Sequence, residues 1–416
     1  MIKTTKKEIS RCLLVGIDIG ELFFEQSMEE LKELVFTAEG EIVGQVVQKR
    51  LSIDKNHVLG QGKLDEIKDF IDENDVDLVI FNNELTPHQI NNLEELLDCR
   101  VIDRTVLILD IFAMHAKTSE GKLQVEAAQL KYMLPRLVGS KRNLSRLAGG
   151  IGTRGPGETK LETDRRRIRE KLRAIDQEII RLEKNRSIMR SLRQKSDNKL
   201  IAIVGYTNAG KSTLINTLTE AKVLAQDKLF ATLDPTTRLM RLPSGKKVLI
   251  TDTVGFIRDL PHEIVNAFKS TLEEAVFADL ILIVCDVSDE QVDSKLEVAK
   301  NTLNEIGAKA RQLILYNKID KLSSDKVLLL KNNGDNLFVS AKQNIGIDKL
   351  KDKIDAVFSE NDRQVKIKLP FSKMSLLGKI PKEKIVFYNN TDDGVDLILS
   401  INDGDAWYQK ICQFEV

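Results

Sequence analysis

Gly205-Tyr206-Thr207-Asn208-Ala209-Gly210-Lys211-Ser212 follows the apolar run Leu200–Val204 and precedes a helical pattern carrying Leu214, Ile215 and Leu218. Turning glycines in that context expose backbone N–H groups that wrap phosphates at a helix N-terminus, where the helix dipole also favours an anion. Lys211 is expected to reach the β and γ phosphates, and the Ser212 hydroxyl to ligate Mg²⁺. Asp252-Thr253-Val254-Gly255 follows the strand-like Val248–Thr251; Asp252 can hold the same ion through water, and the Gly255 N–H can meet the γ-phosphate. Between these motifs, Phe230-Ala231-Thr232-Leu233-Asp234 has no strong helical or strand period. Thr232 can offer its hydroxyl to the metal only when the γ-phosphate draws the loop inward, so the segment reads as a switch. Lys211, Thr232 and Gly255 are the candidate catalytic residues, and Ser212 and Thr232 the candidate metal ligands.

Asn317-Lys318-Ile319-Asp320 ends the run Leu313–Tyr316. The two oxygens of Asp320 suit the N1–H and 2-amino donors of guanine, a pair adenine lacks, and losing such a paired contact can discriminate by roughly 10⁴ to 10⁵. Asn317 can tie the base loop to the phosphate loop, and the Lys318 stem can cover the ring. Ser340-Ala341-Lys342 follows Leu337–Val339, where the Ala341 N–H is placed to meet guanine O6. The nucleotide is expected to be GTP or GDP, and the reaction hydrolysis of GTP to GDP and phosphate. Phe256 stands after Gly255, where many switch GTPases place a glutamine that orients water. Arg238 and Arg258 are as well explained as surface charges as by a finger role. Intrinsic hydrolysis should therefore be slow and await a partner or bound ion, a completion worth roughly 10³ to 10⁵ in rate. The pairs Glu29/Glu30 and Glu273/Glu274 read as solvated helix faces, and no histidine has a second His or Cys at ligand spacing.

The elements that must position these groups are those of an α/β protein with several cores. The chain has 416 residues, 42% hydrophobic and 30% charged, enough for two to four domains. Its 63 basic and 63 acidic residues cancel, but residues 136–195 hold 18 Lys/Arg against 7 Asp/Glu, a local excess of +11. The scattered cysteines Cys12, Cys99, Cys285 and Cys412 fit a reducing compartment, and Leu13–Gly16 meets Asp18 too soon for a signal peptide, so a soluble cytoplasmic protein is expected. Residues 1–115 alternate strand and helix patterns as a small α/β domain, in which Gly60-Gln61-Gly62-Lys63 reads as a turn with a glycine cap. Residues 116–196 read as a long antiparallel helical hairpin. Leu123, Ala127, Leu130, Met133, Leu134 and Leu137 form one apolar side, opposite an Ile168, Leu172, Ile175, Ile179, Leu182 seam. That seam packing within the chain implies a monomer. Its tip, Gly149-Gly150-Ile151-Gly152-Thr153-Arg154-Gly155-Pro156-Gly157, is flanked by Lys141, Arg142, Arg146, Lys160, Arg165, Arg166 and Arg167, a pattern that suits a phosphate backbone, most naturally RNA. Residues 197–360 form the P-loop GTPase domain with a mostly parallel sheet, and residues 361–416 a small α/β C-terminal domain in which Trp407 is a packing residue.

Together these residues resemble the HflX family of translation-factor-related GTPases. The resemblance rests on Gly205–Ser212, on Phe230 through Thr236, on Asp252–Phe256 and on Asn317–Asp320. Outside the GTPase region it extends to Asp103-Arg104-Thr105, Leu107–Phe112, Gly121–Glu126 and Gly155-Pro156-Gly157-Glu158-Thr159, covering about residues 12 to 360. It implies a cytoplasmic GTPase that binds the large ribosomal subunit, reaches ribosomal RNA with its N-terminal and helical regions, and separates or rescues stalled ribosomes. It also implies a hydrophobic residue at Phe256 and a role for Asn208 in holding K⁺ near the phosphates. The alternative is a GTP-gated switch that recruits a protein through the helical hairpin, with no RNA target.

Overall fold

The computed structural model describes residues 9–54, 56–136, 156–194, 199–219, 229–230, 235–258, 269–323, 336–360, 362–380, 384–401 and 407–416. The first sheet has the order β2-β1-β3-β4, all parallel, from β1 (Arg11–Asp18), β2 (Glu41–Lys49), β3 (Leu78–Phe81) and β4 (Arg100–Asp103). β1 is buried along nearly its whole length because helices cover both faces, as a continuous apolar run in a parallel sheet requires. Helix α1 (Phe24–Thr37) buries Phe24, Met28, Leu31, Leu34 and Val35 at helical spacing. Helix α2 (Gln61–Asn74) is capped by Gly60, as its turn sequence indicates, and α3 (Pro87–Leu97) by a Thr86–Gln89 capping box with Pro87 in the first turn.

Asp103 joins three elements. Its fully buried carboxylate caps α4 (Arg104–His115) through the Val106 N–H at 3.0 Å. It also accepts from Arg136 Nη2 at 3.0 Å and from the Tyr132 hydroxyl, both on α5 (Ser119–Arg136). Helix α6 (Pro156–Gln194) runs antiparallel to α5, as the pairs Arg186–Glu120 and Lys131–Asp176 show. Ala127, Leu172 and Ile175 are buried between them, with Leu123, Leu130, Leu134, Ile168 and Ile179 partly so. Met133 does not join that seam and is 51% exposed, because the opposite face of α5 is also committed: Val125, Ala128 and Tyr132 pack into the cluster under α4. Leu137 and Gly149 through Gly155 lie outside the described residues.

The second sheet has the order β10-β9-β8-β5-β7-β6. β5 (Lys199–Gly205), β7 (Lys247–Asp252), β8 (Leu280–Asp286), β9 (Arg311–Asn317) and β10 (Leu337–Phe338) are parallel, and β6 (Thr237–Arg241) runs antiparallel on the edge. Helices α7 (Lys211–Thr219), α8 (Lys269–Val276), α9 (Val292–Glu305) and α10 (Ile347–Ser359) accompany it. The third sheet, β11-β13-β12, is antiparallel, formed by β11 (Arg363–Pro370), β12 (Ile385–Thr391) and β13 (Gly394–Ile401). Its helical companions are 3₁₀ turns, and Trp407 is packed against its core, as expected of a structural residue. Lys246 Nζ, bonded to Asp362 and Ser359 at 2.7 Å each, fastens this sheet to the end of α10.

One apolar cluster joins the first sheet to the second. It includes Phe24, Met28 and Leu31 of α1 and Phe112 of α4, together with Tyr206, Leu229, Phe230, Phe256 and Ile257. Asp103→Ala removes the partner of a half-buried arginine and frees two backbone N–H groups, so it is expected to cost about 3 kcal/mol, read as a lower urea midpoint of unfolding.

Candidate active site

The phosphate loop occupies the carboxyl end of β5, the place where a parallel α/β sheet opens a crevice for ligands. Gly210 takes φ +89° there, and a β-carbon on it would lie 2.4 Å from Asn317 Nδ2, so both backbone conformation and packing demand glycine. Asn208 is exposed in the left-handed region at φ 59°. Lys211 is buried, with Nζ donating to the carbonyls of Tyr206 at 2.8 Å and Gly205 at 3.2 Å. Burial pushes its ammonium down to about 8, offset in part by Asp252.

Ser212 Oγ donates to Asp252 Oδ2 at 2.9 Å across the mouth of the loop. A hydroxyl and a carboxylate are hard oxygen donors of the kind Mg²⁺ takes, so this described pair fits that ion. Thr253 is buried, with Oγ1 donating to the Ile203 carbonyl at 2.8 Å, and Val254 is buried beside it. These contacts hold Asp252 and Gly255 against the phosphate loop. Leu229 N donates to Thr37 Oγ1 at 3.3 Å, and the Phe230 ring meets Phe112 edge-on at 4.5 Å. Ala231, Thr232, Leu233 and Asp234 lie outside the described residues.

The base loop is joined to the phosphate loop by Asn317, as the sequence indicates. Its Nδ2 donates to the Ala209 carbonyl at 2.9 Å, and its Oδ1 accepts from the Ala341 N–H at 3.0 Å. That second bond engages the Ala341 N–H, the group read for guanine O6, and so ties Ser340-Ala341-Lys342 to the same asparagine. Ile319 opens a short 3₁₀ turn, which presents Asp320. Ser340 Oγ donates to Asp320 Oδ1 at 2.5 Å and accepts from Gln343 N at 3.1 Å, which fixes the plane of the carboxylate. Lys318, in the left-handed region, pairs with Asp286 at 2.8 Å, so its stem is drawn along one wall. Lys342 is exposed. Tyr206 through Ala209, with Asp286 and Lys318, line one side of a cleft of about 870 Å³ whose lining also includes Phe24, Met28 and Glu30 of α1.

Residues 25–113 match the family described as GTP-binding GTPase N-terminal, residues 115–193 its Middle Region, and residues 200–318 the family described as 50S ribosome-binding GTPase. The GTPase HflX of Caldanaerobacter subterraneus is 50% identical over 368 residues, covering 88% of this chain and 85% of that relative. The GTPase HflX of Escherichia coli is 43% identical over 349 residues, covering 83% and 82%. The chain belongs to the HflX GTPase family. A solved GTP-binding protein from Sulfolobus solfataricus in complex with GDP is 25% identical, spans 85% of this chain and 99% of its own, and has a TM-score of 0.44. As an HflX GTPase, the protein binds guanine nucleotide and hydrolyses GTP.

Of the two acidic pairs read as solvated faces, Glu29 is exposed as expected, but Glu30, Glu273 and Glu274 depart from that reading in this HflX protein. Glu30 is at a buried junction, 14% exposed, paired with Arg104 at 2.6 Å and accepting from the Tyr206 hydroxyl. Glu274 is buried, and Glu273 faces Arg186 of α6 at 3.7 Å. Arg258 is likewise no free surface charge: Nη2 donates to Ser294 Oγ at 2.9 Å and the guanidinium lies 4.2 Å from the centre of the Phe23 ring. These partners are far apart in sequence, and helical periodicity alone carries no signal for them.

Asn317→Ala leaves the Ala341 N–H without its acceptor and unties the two loops, so GDP affinity is expected to fall about tenfold or more, measured by calorimetry. The depressed Lys211 also sets a pH dependence. A bound phosphate favours the protonated ammonium, so between pH 8 and the ordinary lysine range binding must take up a proton. Nucleotide affinity is expected to fall as pH rises above about 8, by up to about tenfold per pH unit. Titrating affinity against pH checks this, and Lys211→Met should remove the slope.

Proposed function

We propose that this HflX protein is a GTP-gated cytoplasmic factor, monomeric, that binds the large ribosomal subunit through ribosomal RNA. On this reading it splits or rescues stalled ribosomes and hydrolyses GTP slowly until the ribosome completes its site. The observation that carries it is a mechanical join. The 39-residue basic helix α6 is fastened by Arg186 both to Glu120 of α5 at 2.7 Å and to Glu273 of α8, beside the nucleotide-binding sheet. Arg166 and Arg167 are 80% and 76% exposed and pair only weakly with Glu170 and Asp164 of the same helix, leaving their charge for phosphates. The family description of residues 200–318 as a 50S ribosome-binding GTPase supports the same partner.

Within the site, Lys211 and the loop amides would neutralise phosphate charge, and the Gly255 N–H would meet the terminal phosphoryl group. Ser212 and Asp252, with Thr232 on the sequence reading, would hold Mg²⁺, which when bound screens the charge shared by the β and γ phosphates. The Asn208 carboxamide, exposed beside the loop, would offer an oxygen to K⁺. Phe256 is 2% exposed and apolar, so it offers no group to orient water, and that function falls to the ribosome. The recruitment reading has one observation in its favour, the half-exposed Ile180 and Ile188 on α6.

Cosedimentation separates the two. With a non-hydrolysable GTP analogue the protein is expected to pellet with large subunits, and GDP to weaken this about tenfold. Changing Arg165, Arg166 and Arg167 to Glu should lower affinity and flatten its logarithmic salt dependence by about 2 to 3. Salt-insensitive binding untouched by charge reversal would instead support apolar recruitment.

A further inference from the structure

The segment after Gly255 is zipped onto the phosphate loop. Thr207 N donates to the Phe256 carbonyl at 2.8 Å and Phe256 N to the Gly205 carbonyl at 3.0 Å, so Tyr206 and Phe256 pair as neighbouring parallel strands. The pairing leaves little space beneath Gly255. A β-carbon built there would lie 2.8 Å from Lys211 Nζ and 2.9 Å from both Thr207 Cα and Cγ2. The Gly255 backbone is thus packed against the Lys211 side chain and Thr207, while a γ-phosphoryl group would have to be held between that ammonium and the Gly255 N–H, so the zip and a terminal phosphoryl compete for one approach.

The zip is held from outside the nucleotide site. The Tyr206 hydroxyl accepts from Arg258 N at 2.7 Å, two residues beyond the zip, and donates to Glu30 on α1. Glu30 is in turn fixed by Arg104 Nη2 at 2.6 Å, while Arg104 Nη1 donates to the Ser27 carbonyl and to Asn82 Oδ1, each at 3.0 Å. Lys295 Nζ lies 4.8 Å from the centre of the Tyr206 ring and is itself paired with Asp289. Burial, followed by the charge of Glu30, raises the Tyr206 phenol well above its ordinary range, so it stays a proton donor throughout the physiological range.

We infer that Glu30 and Tyr206 set the preference of this GTPase for diphosphate over triphosphate: the α1 carboxylate, acting through the Tyr206 hydroxyl, clamps the Gly255–Arg258 segment shut on the phosphate loop. Glu30 is a positioning residue in this scheme, touching no nucleotide. A partner that draws α1 away would release the clamp and admit GTP. The inference rests on Gly205–Ser212 being the phosphate site.

The test uses the full-length protein and measures affinities for GDP and for a non-hydrolysable GTP analogue in parallel. Glu30→Gln is expected to shift their ratio about tenfold toward the triphosphate, the contribution of one charge-assisted hydrogen bond. Tyr206→Phe, which keeps the ring in its packing and removes only the hydroxyl, should shift the ratio the same way. The double variant should shift it no further than either single change. A ratio that stays put in both single variants, or two affinities that fall together, would overturn the clamp. Lys211→Ala distinguishes failure of the underlying site: if it left both nucleotides bound as before, the phosphate-loop reading would fall, independently of the ratio.

Discussion

Burial of one continuous apolar seam between the N-terminal helices and the phosphate-binding end of the six-stranded sheet is the condition on which the polar contacts there depend. Phe24, Met28 and Leu31 of α1 and Phe112 of α4 close over Tyr206, Phe230, Phe256 and Ile257. Each large side chain so buried contributes about 1.5 to 3 kcal/mol, more than a typical neutral hydrogen bond and as much as one to a charged group. Without the seam, the Tyr206–Glu30 and Leu229–Thr37 bonds would be exposed pairs that water replaces at little cost. With it, they are desolvated and oriented, and an unmade bond there is expensive. The seam thus turns the first sheet from a neighbouring unit into a wall of the cleft beside the phosphate loop.

The same seam explains why both Leu229–Phe230 and Val254–Arg258 pack against the N-terminal region. Phe230 ends the first segment and is held by Phe112; Arg258 ends the second and is held by Phe23 and Ser294. A movement of either segment must therefore disturb α1 or α4. Helix α4 is capped by Asp103, which also grips α5 through Tyr132 and Arg136, and α5 carries α6 along the Ala127, Leu172, Ile175 seam. A contiguous chain of packed and hydrogen-bonded groups leads from Phe230, beside the phosphate loop in the same apolar cluster, to the basic helix, which is the physical requirement for coupling between them.

The parts of this arrangement legible in the sequence are those whose chemistry is local. Gly205 through Ser212 announces a phosphate loop because the spacing of its glycines, lysine and serine is itself the structure, and the tie from Asn317 to the loop follows from a carboxamide that both donates and accepts. Strand and helix positions in the first 115 residues follow from apolar period, which tells which face is covered. Period does not tell what covers it. Glu29 and Glu30 are adjacent in an acidic stretch, yet successive helical positions point about 100° apart. Glu29 meets Lys32 in solvent, while Glu30 meets Tyr206, 176 residues away in the chain. Met133 fails for the same reason, since α5 has two packed faces and one apolar period cannot serve both.

Phe256 is where structural and catalytic demands meet. Its side chain is core, its backbone forms both bonds of the zip, and its position is the one from which a switch GTPase would orient attacking water. A glutamine there would place a carboxamide in the apolar seam, and an unpartnered buried amide costs about 1 to 3 kcal/mol. A glutamine turned toward the phosphates would instead leave the seam without its anchor and the zip without support. An aromatic residue resolves the conflict in favour of coupling: the chain gains a segment whose posture follows the N-terminal helices and forgoes a water-positioning group of its own at that position. On the proposed reading, hydrolysis and release of the seam then share one trigger, because the partner that supplies the missing group is also the one whose docking moves α1.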